Sequence, residues 1–286
     1  MPLRPSALSP TASIASLVPS PPPSFTLLYA SHAHWPLPPR LGSSSEFLSP
    51  RLLRISVLDS SYNPPHAAHL ALAKHGAKSA DATLLAFTIS NPDKGAVTLD
   101  SGLLHRLEMI RAVALDLQEK AAEEGLRNVA VAVLNAPTFT QKSRILRSEL
   151  DALVREQSGE EKAEVRCSFA VGWDTLIRIF APRYYQTGPG LPTSMNAFLI
   201  EDGSSVSCAR RGDIPADEER AFLDSDEVKP WRSQVELFDL EDEKVKGISS
   251  TAIREAVKEE RWEDVRRDVP FEGVVEILRR ERLYRD

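Results

Sequence analysis

Two histidines, His66 and His69, stand three residues apart in "SSYNPPHAAH", just after the apolar run "LLRISVLD". The apolar run reads as a buried strand, and the alanine-rich stretch that follows reads as a helix. Pro64 and Pro65 block helix continuation and fix a turn between them. His66 and His69 then fall at i and i+3, on one face of the helix's first turn. Free N–H groups and the dipole make such a turn attractive to anions, and imidazoles add further donors. The backbone N–H groups of Ser60, Ser61 and Tyr62, at the strand end, are placed to face the same ligand. Taken alone, the two rings serve equally well as capping or packing histidines.

Three other stretches carry compatible chemistry. "GWDTL", Gly172 to Leu176, follows the strand-like "VRCSFAV". Glycine there permits close approach of backbone to a ligand, while Asp174 has an ordinary role as a helix cap. "GISSTAIREAV" places Ser249, Ser250 and Thr251 at a helix start, with Arg254 one turn on. Those hydroxyls either cap the helix or meet a phosphate, and a guanidinium clamps phosphate through two parallel bonds. "NPDKG" puts Lys94 after another strand, as a solvated loop lysine or a phosphate ligand.

The elements that must position these residues alternate along the chain. Strand-like segments are "LLRISVLD", "TLLAFTIS", "NVAVAVLNA", "VRCSFAVG", "MNAFLIED", "SVSCARRGD" and "SQVELFDL". Helical segments lie between them, the longest being "LLHRLEMIRAVALDLQEKAAEEG", with Leu103, Leu107, Ile110, Ala114 and Leu117 at helical spacing. Two helices are expected to close the chain, "SSTAIREAVKEERWEDVRRD" and "FEGVVEILRRERLYRD". Strands separated by helices imply a doubly wound α/β fold: a Rossmann-like, mainly parallel sheet with helices on both faces. Ligands bind such sheets beyond the carboxyl ends of the strands. All four stretches fall at those ends or at the helix starts beyond them, and their joint reading is a nucleotide site.

Composition sets outer bounds. The chain has 286 residues, 42% hydrophobic and 27% charged, with a net charge of -6. That charge lacks the positive field of a nucleic-acid binder. No apolar run is long enough to span a membrane. Cys167 and Cys208 show neither metal-ligand spacing nor a disulfide framework, which fits a reducing compartment. No metal site is expected among the residues themselves. Residues 1–50 are rich in Ser and Pro and read as a disordered extension, with "FTLLYA" (Phe25–Ala30) an exception that docks on the core. The folded domain is expected over 51–286. The extension is poor in acids but also sparse in arginine, so an organellar leader is not the favoured reading. Cytoplasmic or nuclear residence is expected, and homo-oligomerisation is left open.

The stretches "SSYNPPHAAH", "GWDTL" and "GISSTAIR" resemble the HxGH, GxDxL and ISSTxxR signatures of the nucleotidylyltransferase superfamily. Within it they are most similar to the nicotinamide mononucleotide adenylyltransferase family, in its fungal branch. "LLHRLEMIRAVALD" and "CARRGD" resemble further parts of that family, and the likeness runs over residues 52–286 in order. It implies adenylyl transfer from ATP to nicotinamide mononucleotide, giving NAD and pyrophosphate, with Mg²⁺ carried on the triphosphate. By motif match, His66, His69, Lys94 and Arg254 would be the catalytic group. Ser60, Ser61, Tyr62, Gly172, Asp174, Ser249, Ser250 and Thr251 would join them around ATP. An aromatic partner for the nicotinamide is implied, with Tyr184 or Tyr185 preferred over Trp173.

The chain departs from the pattern at Ala68, where the motif has glycine, and at Ser60, where glycine often precedes the loop. Ala68 restricts the backbone of the phosphate cradle. Cytidylyltransferases also resemble "GISST", but they usually carry Arg-Thr-Glu before it, where this chain has Lys244-Val245-Lys246. Two rivals stay open: a transferase using CTP or another phosphorylated acceptor, and a nucleotide-binding module that has lost catalysis.

Overall fold

The structure is a computed structural model and describes residues 24–37, 52–91, 95–96, 101–122, 124–158, 164–210, 212, 214–240, 245 and 247–285. Its sheet contains β1 (Ser24–Ala30), β2 (Leu52–Asp59), β3 (Ala82–Thr88), β4 (Val129–Asn135), β5 (Glu164–Gly172), β6 (Ser205–Ala209) and β7 (Val235–Phe238). They lie in the order β1-β4-β3-β2-β5-β6-β7. All neighbours pair in parallel except β1, which runs antiparallel to β4 at one edge. The central strands β3 ("ATLLAFT") and β4 ("VAVAVLN") are almost wholly buried, as parallel strands covered on both faces must be.

Helices cover both faces. On one side α3 (Phe139–Ser158) inserts Leu146, Leu150 and Val154 against Ile55, Val57, Phe169 and Val206. On the other, α1 (Ala67–Ala77) and α2 (Ser101–Lys120) pack with α6 (Ser250–Lys258), α7 (Trp262–Asp268) and α8 (Glu272–Arg280) over Leu85, Phe87 and Val131. The six parallel strands run third, second, first, fourth, fifth, sixth across the sheet. Strand order reverses between β2 and β5, and ligands bind at the carboxyl ends around such a reversal. The doubly wound fold expected from the alternation is what forms.

Three expectations are corrected. First, the domain does not begin at residue 51. β1 pairs along β4, and Trp35 and Leu37, 1% and 2% exposed, enter the core behind it. Asn128 anchors this segment: its Nδ2 donates to the carbonyls of Pro36 (2.9 Å) and Asp81 (3.0 Å), and its carbonyl accepts from Trp35 Nε1 (3.2 Å). The partners lie about a hundred positions away, so the local Pro and Ser content hides them. Residues 1–23 and 38–51 of the expected extension lie outside the described residues.

Second, "MNAFLIED" is helical rather than extended. Asn196–Glu201 continue the short helix α5 (Leu191–Met195) as a π-helical turn, burying Phe198 and Leu199 while Ile200 faces out. Periodicity cannot separate a short buried strand from a short buried helix. Third, three helices close the chain. Glu260 takes φ +56° after α6, and the Arg261 N–H returns to the Ala256 carbonyl (2.8 Å), a Schellman-type stop that splits the expected helix before α7.

Candidate active site

The loop after β2 is rigidly held. Tyr62 takes φ +45°, a sparsely populated conformation for a bulky residue. Its ring is fully buried and its hydroxyl donates to the Leu58 carbonyl (2.6 Å), so the surroundings over-determine the turn. Burial, with Asp59 nearby, pushes its phenol well above the ordinary range. Tyr62 therefore serves the loop as an anchor, with its side chain in the core and only its backbone free to face a ligand.

His66 is the N-cap of α1 and His69 lies in its first turn, with ring centroids 4.0 Å apart. The His66 N–H donates to His69 Nδ1 (3.1 Å). A nitrogen that accepts carries no proton, so the neutral His69 ring bears its proton on Nε2. That nitrogen lies 2.8 Å from Ser60 Oγ, which accepts from it. Burial first, and the His66 ring second, hold His69 well below its ordinary pKa. Burial lowers His66 to about 4, with Asp268 partly opposing. His66 Nδ1 is buried with no hydrogen-bond partner among the described residues. Ala68 is an ordinary residue of the first helical turn, where alanine is the best helix former, so its methyl imposes no strain.

These buried neutral rings give the fold a pH dependence. The unfolded chain takes up protons below about 6.5, whereas the folded His66 resists until about 4. Stability is thus full above pH 6.5 and falls by about 1.4 kcal/mol per pH unit per such ring on acidification towards 4. Thermal melts should show Tm level above neutrality and dropping through that window. His66→Gln should flatten the slope, and an unchanged slope would remove His66 from the account.

The start of α6 is fastened onto the histidine loop. Ser250 Oγ donates to the Pro64 carbonyl (3.0 Å), and Arg254 Nη1 donates to the Asn63 carbonyl (2.8 Å). Arg254 Nη2 also donates to Thr251 Oγ1 (3.0 Å). Ser249 is the cap, its Oγ accepting from the Ala252 N–H (3.2 Å). Gly247 precedes it at φ +92°, a conformation that side chains disfavour. Tyr284, near the chain's end, donates to Asn63 Oδ1 (2.5 Å) from the other side. Two stretches 186 residues apart thus form one surface of helix starts. Arg254 has spent two of its five N–H donors on these contacts. Arg254→Ala should raise the KM for ATP roughly tenfold, and Arg254→Lys should recover it only in part, since an ammonium lacks the planar fork. An unchanged KM would take Arg254 out of nucleotide binding.

Gly172 ends β5 beside β2 and caps α4 (Trp173–Ile179). A methyl on Gly172 would meet nothing within 4 Å, so the strand end opens onto free space. Asp174 lies exposed in the first turn of α4, and Ser61 is exposed on the β2 loop. The aromatic candidates are placed less openly. Trp173 is 3% exposed, edge-on to Phe222 at 5.3 Å. Tyr185 is 6% exposed and its hydroxyl donates to the Ile179 carbonyl (2.8 Å). As placed, both rings belong to the core, and Tyr184 is the half-buried one, with Arg183 over its face at 4.7 Å. Lys94 lies outside the described residues.

One cluster escaped the sequence reading. Lys142, in the first turn of α3, is ion-paired with Asp59 at the end of β2, the two side chains being 6% and 8% exposed. Asp59 also accepts from Thr88 Oγ1 at the end of β3 (2.7 Å). Lys142 Nζ sits 4.5 Å from the centre of the Phe139 ring. The cluster ties the ends of two parallel strands to α3, one residue before Ser60. No local pattern announces it, because its three members come from three elements.

A loop with two histidines and a fused helix start, at the strand-order reversal of a parallel sheet, defines a nucleotide-binding α/β protein of the transferase type. The cytidylyltransferase-like family model matches residues 57–256, and the chain belongs to that family. A Schizosaccharomyces pombe protein named "Putative nicotinamide mononucleotide adenylyltransferase" is 26% identical over 235 residues, covering 78% of this chain and 84% of its own. The nicotinic acid mononucleotide adenylyltransferase of Plasmodium falciparum, solved with NaAD, superposes with a TM-score of 0.54 at 15% identity, over 81% of this chain and 97% of that one. The same enzyme complexed with APC gives 0.50 at 14% identity, with the same coverage. The two structures share the fold.

Proposed function

We propose that the protein transfers the adenylyl group of MgATP to nicotinamide mononucleotide, releasing NAD and pyrophosphate. The observation that carries this reading is the hydrogen-bonded union of the His66–His69 loop with the Ser249–Arg254 helix start. It gathers donors for a polyphosphate without providing an activated nucleophile. Among the described residues Ser60 carries the one hydroxyl hydrogen-bonded to an imidazole there, and His69 Nε2 donates to it and so cannot remove its proton. A covalent serine intermediate is thereby disfavoured. Direct in-line attack by the mononucleotide's phosphate on the α-phosphorus of ATP remains, and catalysis is positioning plus charge stabilisation.

In this reading His66 and the His69–Ser60 pair meet the phosphates. The Ser61 and Tyr62 backbone lines the loop, and Gly172 and Asp174 face the adenosine. Ser249, Ser250, Thr251 and Arg254 hold the β/γ end, and Lys94 supplies a further phosphate contact. Among the described residues no three His, Cys, Asp or Glu side chains group as a metal site, and Mg²⁺ enters on the nucleotide. Cytoplasmic or nuclear residence belongs to the same proposal; among the described residues no helix is long and apolar enough to cross a membrane.

The test is pyrophosphate release and dinucleotide formation by the full chain, with ATP or CTP against nicotinamide or nicotinate mononucleotide. ATP with nicotinamide mononucleotide should give stoichiometric NAD and pyrophosphate. Preference for CTP, or no release with any pair, would overturn the reading.

A further inference from the structure

The contact between His69 and Ser60 changes which of the two meets the nucleotide. His69 has one ring proton, on Nε2, because Nδ1 accepts the His66 N–H. That proton is already directed at Ser60 Oγ, 2.8 Å away. His69 is buried, its ring tilted against those of Tyr62 (centroids 5.1 Å apart) and His66 (4.0 Å), whereas Ser60 is only half-buried. Ser60 makes no other side-chain hydrogen bond among the described residues, so its own hydroxyl proton is uncommitted. Its backbone is fixed from below, since the Ser60 N–H donates to the Ala86 carbonyl (3.2 Å), which corrects the expectation that this N–H faces the ligand, and the neighbouring Asp59 is locked by Lys142 and Thr88.

We propose that Ser60 is interposed between His69 and the triphosphate: the ring N–H donates to the hydroxyl oxygen, and the hydroxyl donates to a phosphate oxygen. Ser60 is then the group that touches the nucleotide, and His69 is the positioning residue behind it. No proton is transferred and no bond on the protein breaks. The ring polarises the hydroxyl, and a chain of donors strengthens as negative charge grows on the phosphate. Glycine at position 60 would leave the imidazole to reach the phosphate itself. Serine makes the same fold act through a hydroxyl. The inference rests on the adenylyl-transfer reading for its substrate but not for its geometry.

A double-mutant cycle on the full chain tests it. Ser60→Ala should lower kcat by roughly a hundredfold, the loss expected of His69→Ala, and weaken MgATP binding in calorimetry, in the natural background, and should change either by less than about twofold on His69→Ala, because the two residues act as one unit. Ser60→Gly should lose less than Ser60→Ala, since no methyl then stands between ring and phosphate. Equal losses on both backgrounds, or a Ser60→Ala protein within twofold of the natural one, would overturn the proposal. If Ser60→Ala melts lower than the natural chain, the His69 tautomer in the natural protein decides the proposal in its place. Imidazole ¹⁵N shifts give a readout independent of turnover: His69 should be the Nε2–H tautomer, and an Nδ1–H tautomer would sink the relay. A chain that makes no NAD fails the functional reading alone, while the tautomer and the MgATP cycle still decide this one.

Discussion

His69→Ala is expected to lower adenylyl transfer by roughly a hundredfold to a thousandfold, the usual consequence of removing one preorganised donor from a site of developing negative charge. Position along the chain suggests that a side chain at a helix start carries little packing and that the variant would fold like the parent. The structure disagrees. His69 is buried, and its Nδ1 is the acceptor for the His66 N–H. Truncation leaves that N–H unsatisfied at a cost of about 1–3 kcal/mol, so the alanine protein should melt lower as well as turn over slowly. His69→Asn separates the two effects. Its amide oxygen takes the place of Nδ1 as acceptor while nothing takes the place of Nε2, so it should restore much of the melting temperature while turnover stays low. Thermal melts and steady-state kinetics on both variants check this. Near-normal turnover in either would remove His69 from catalysis.

Lys142→Met is expected to destabilise the fold by about 3–5 kcal/mol, because it strands the Asp59 carboxylate without its partner in a site closed to water. For a domain of this size that corresponds to a Tm lower by roughly 10 °C. The pair is not a general source of stability. Lys142 also places a cation in the first turn of α3, where the helix dipole disfavours it. Replacing both partners, as Asp59→Asn with Lys142→Met, should therefore recover most of the lost stability. Denaturant unfolding of the two single variants and the double variant measures the coupling. If Lys142→Met melts like the natural chain, the ion pair is not what holds the β2 and β3 ends together. If the double variant regains stability but not turnover, the pair acts on the site by aligning the residue before Ser60.

Much of the fold was readable from texture. β2, β3, β4 and β5 announced themselves as apolar runs, and α2 as a sustained helical stripe, because both signals are local. The alternation of strands and helices implied at which end of the sheet a ligand would sit, and the histidine loop, "GWDTL" and "GISST" all lay at the expected ends. The failures share one cause. β1 depends on pairing with β4 about a hundred residues away, so the sequence marked "FTLLYA" as docking on the core but not as a strand of the sheet, and Pro- and Ser-rich neighbours hid the buried Trp35 and Leu37. The stop at Glu260 is a backbone conformation, and the apolar pattern continues across it. The burial of Trp173 and Tyr185, which the family resemblance offers as stacking partners, is likewise set by packing between segments and not by local sequence.

By itself, the sequence of this protein determined most of the elements, their alternation and the residue types gathered at the strand ends, since each rests on neighbours within a turn or a strand. Only the tertiary structure decided how those residues share protons and charge. It put the His69 proton on Nε2 through a backbone N–H, and it brought Lys142 to Asp59 and Arg254 to Asn63. Those are contacts between distant segments, and hydrogen-bond direction and burial exist only once such segments meet.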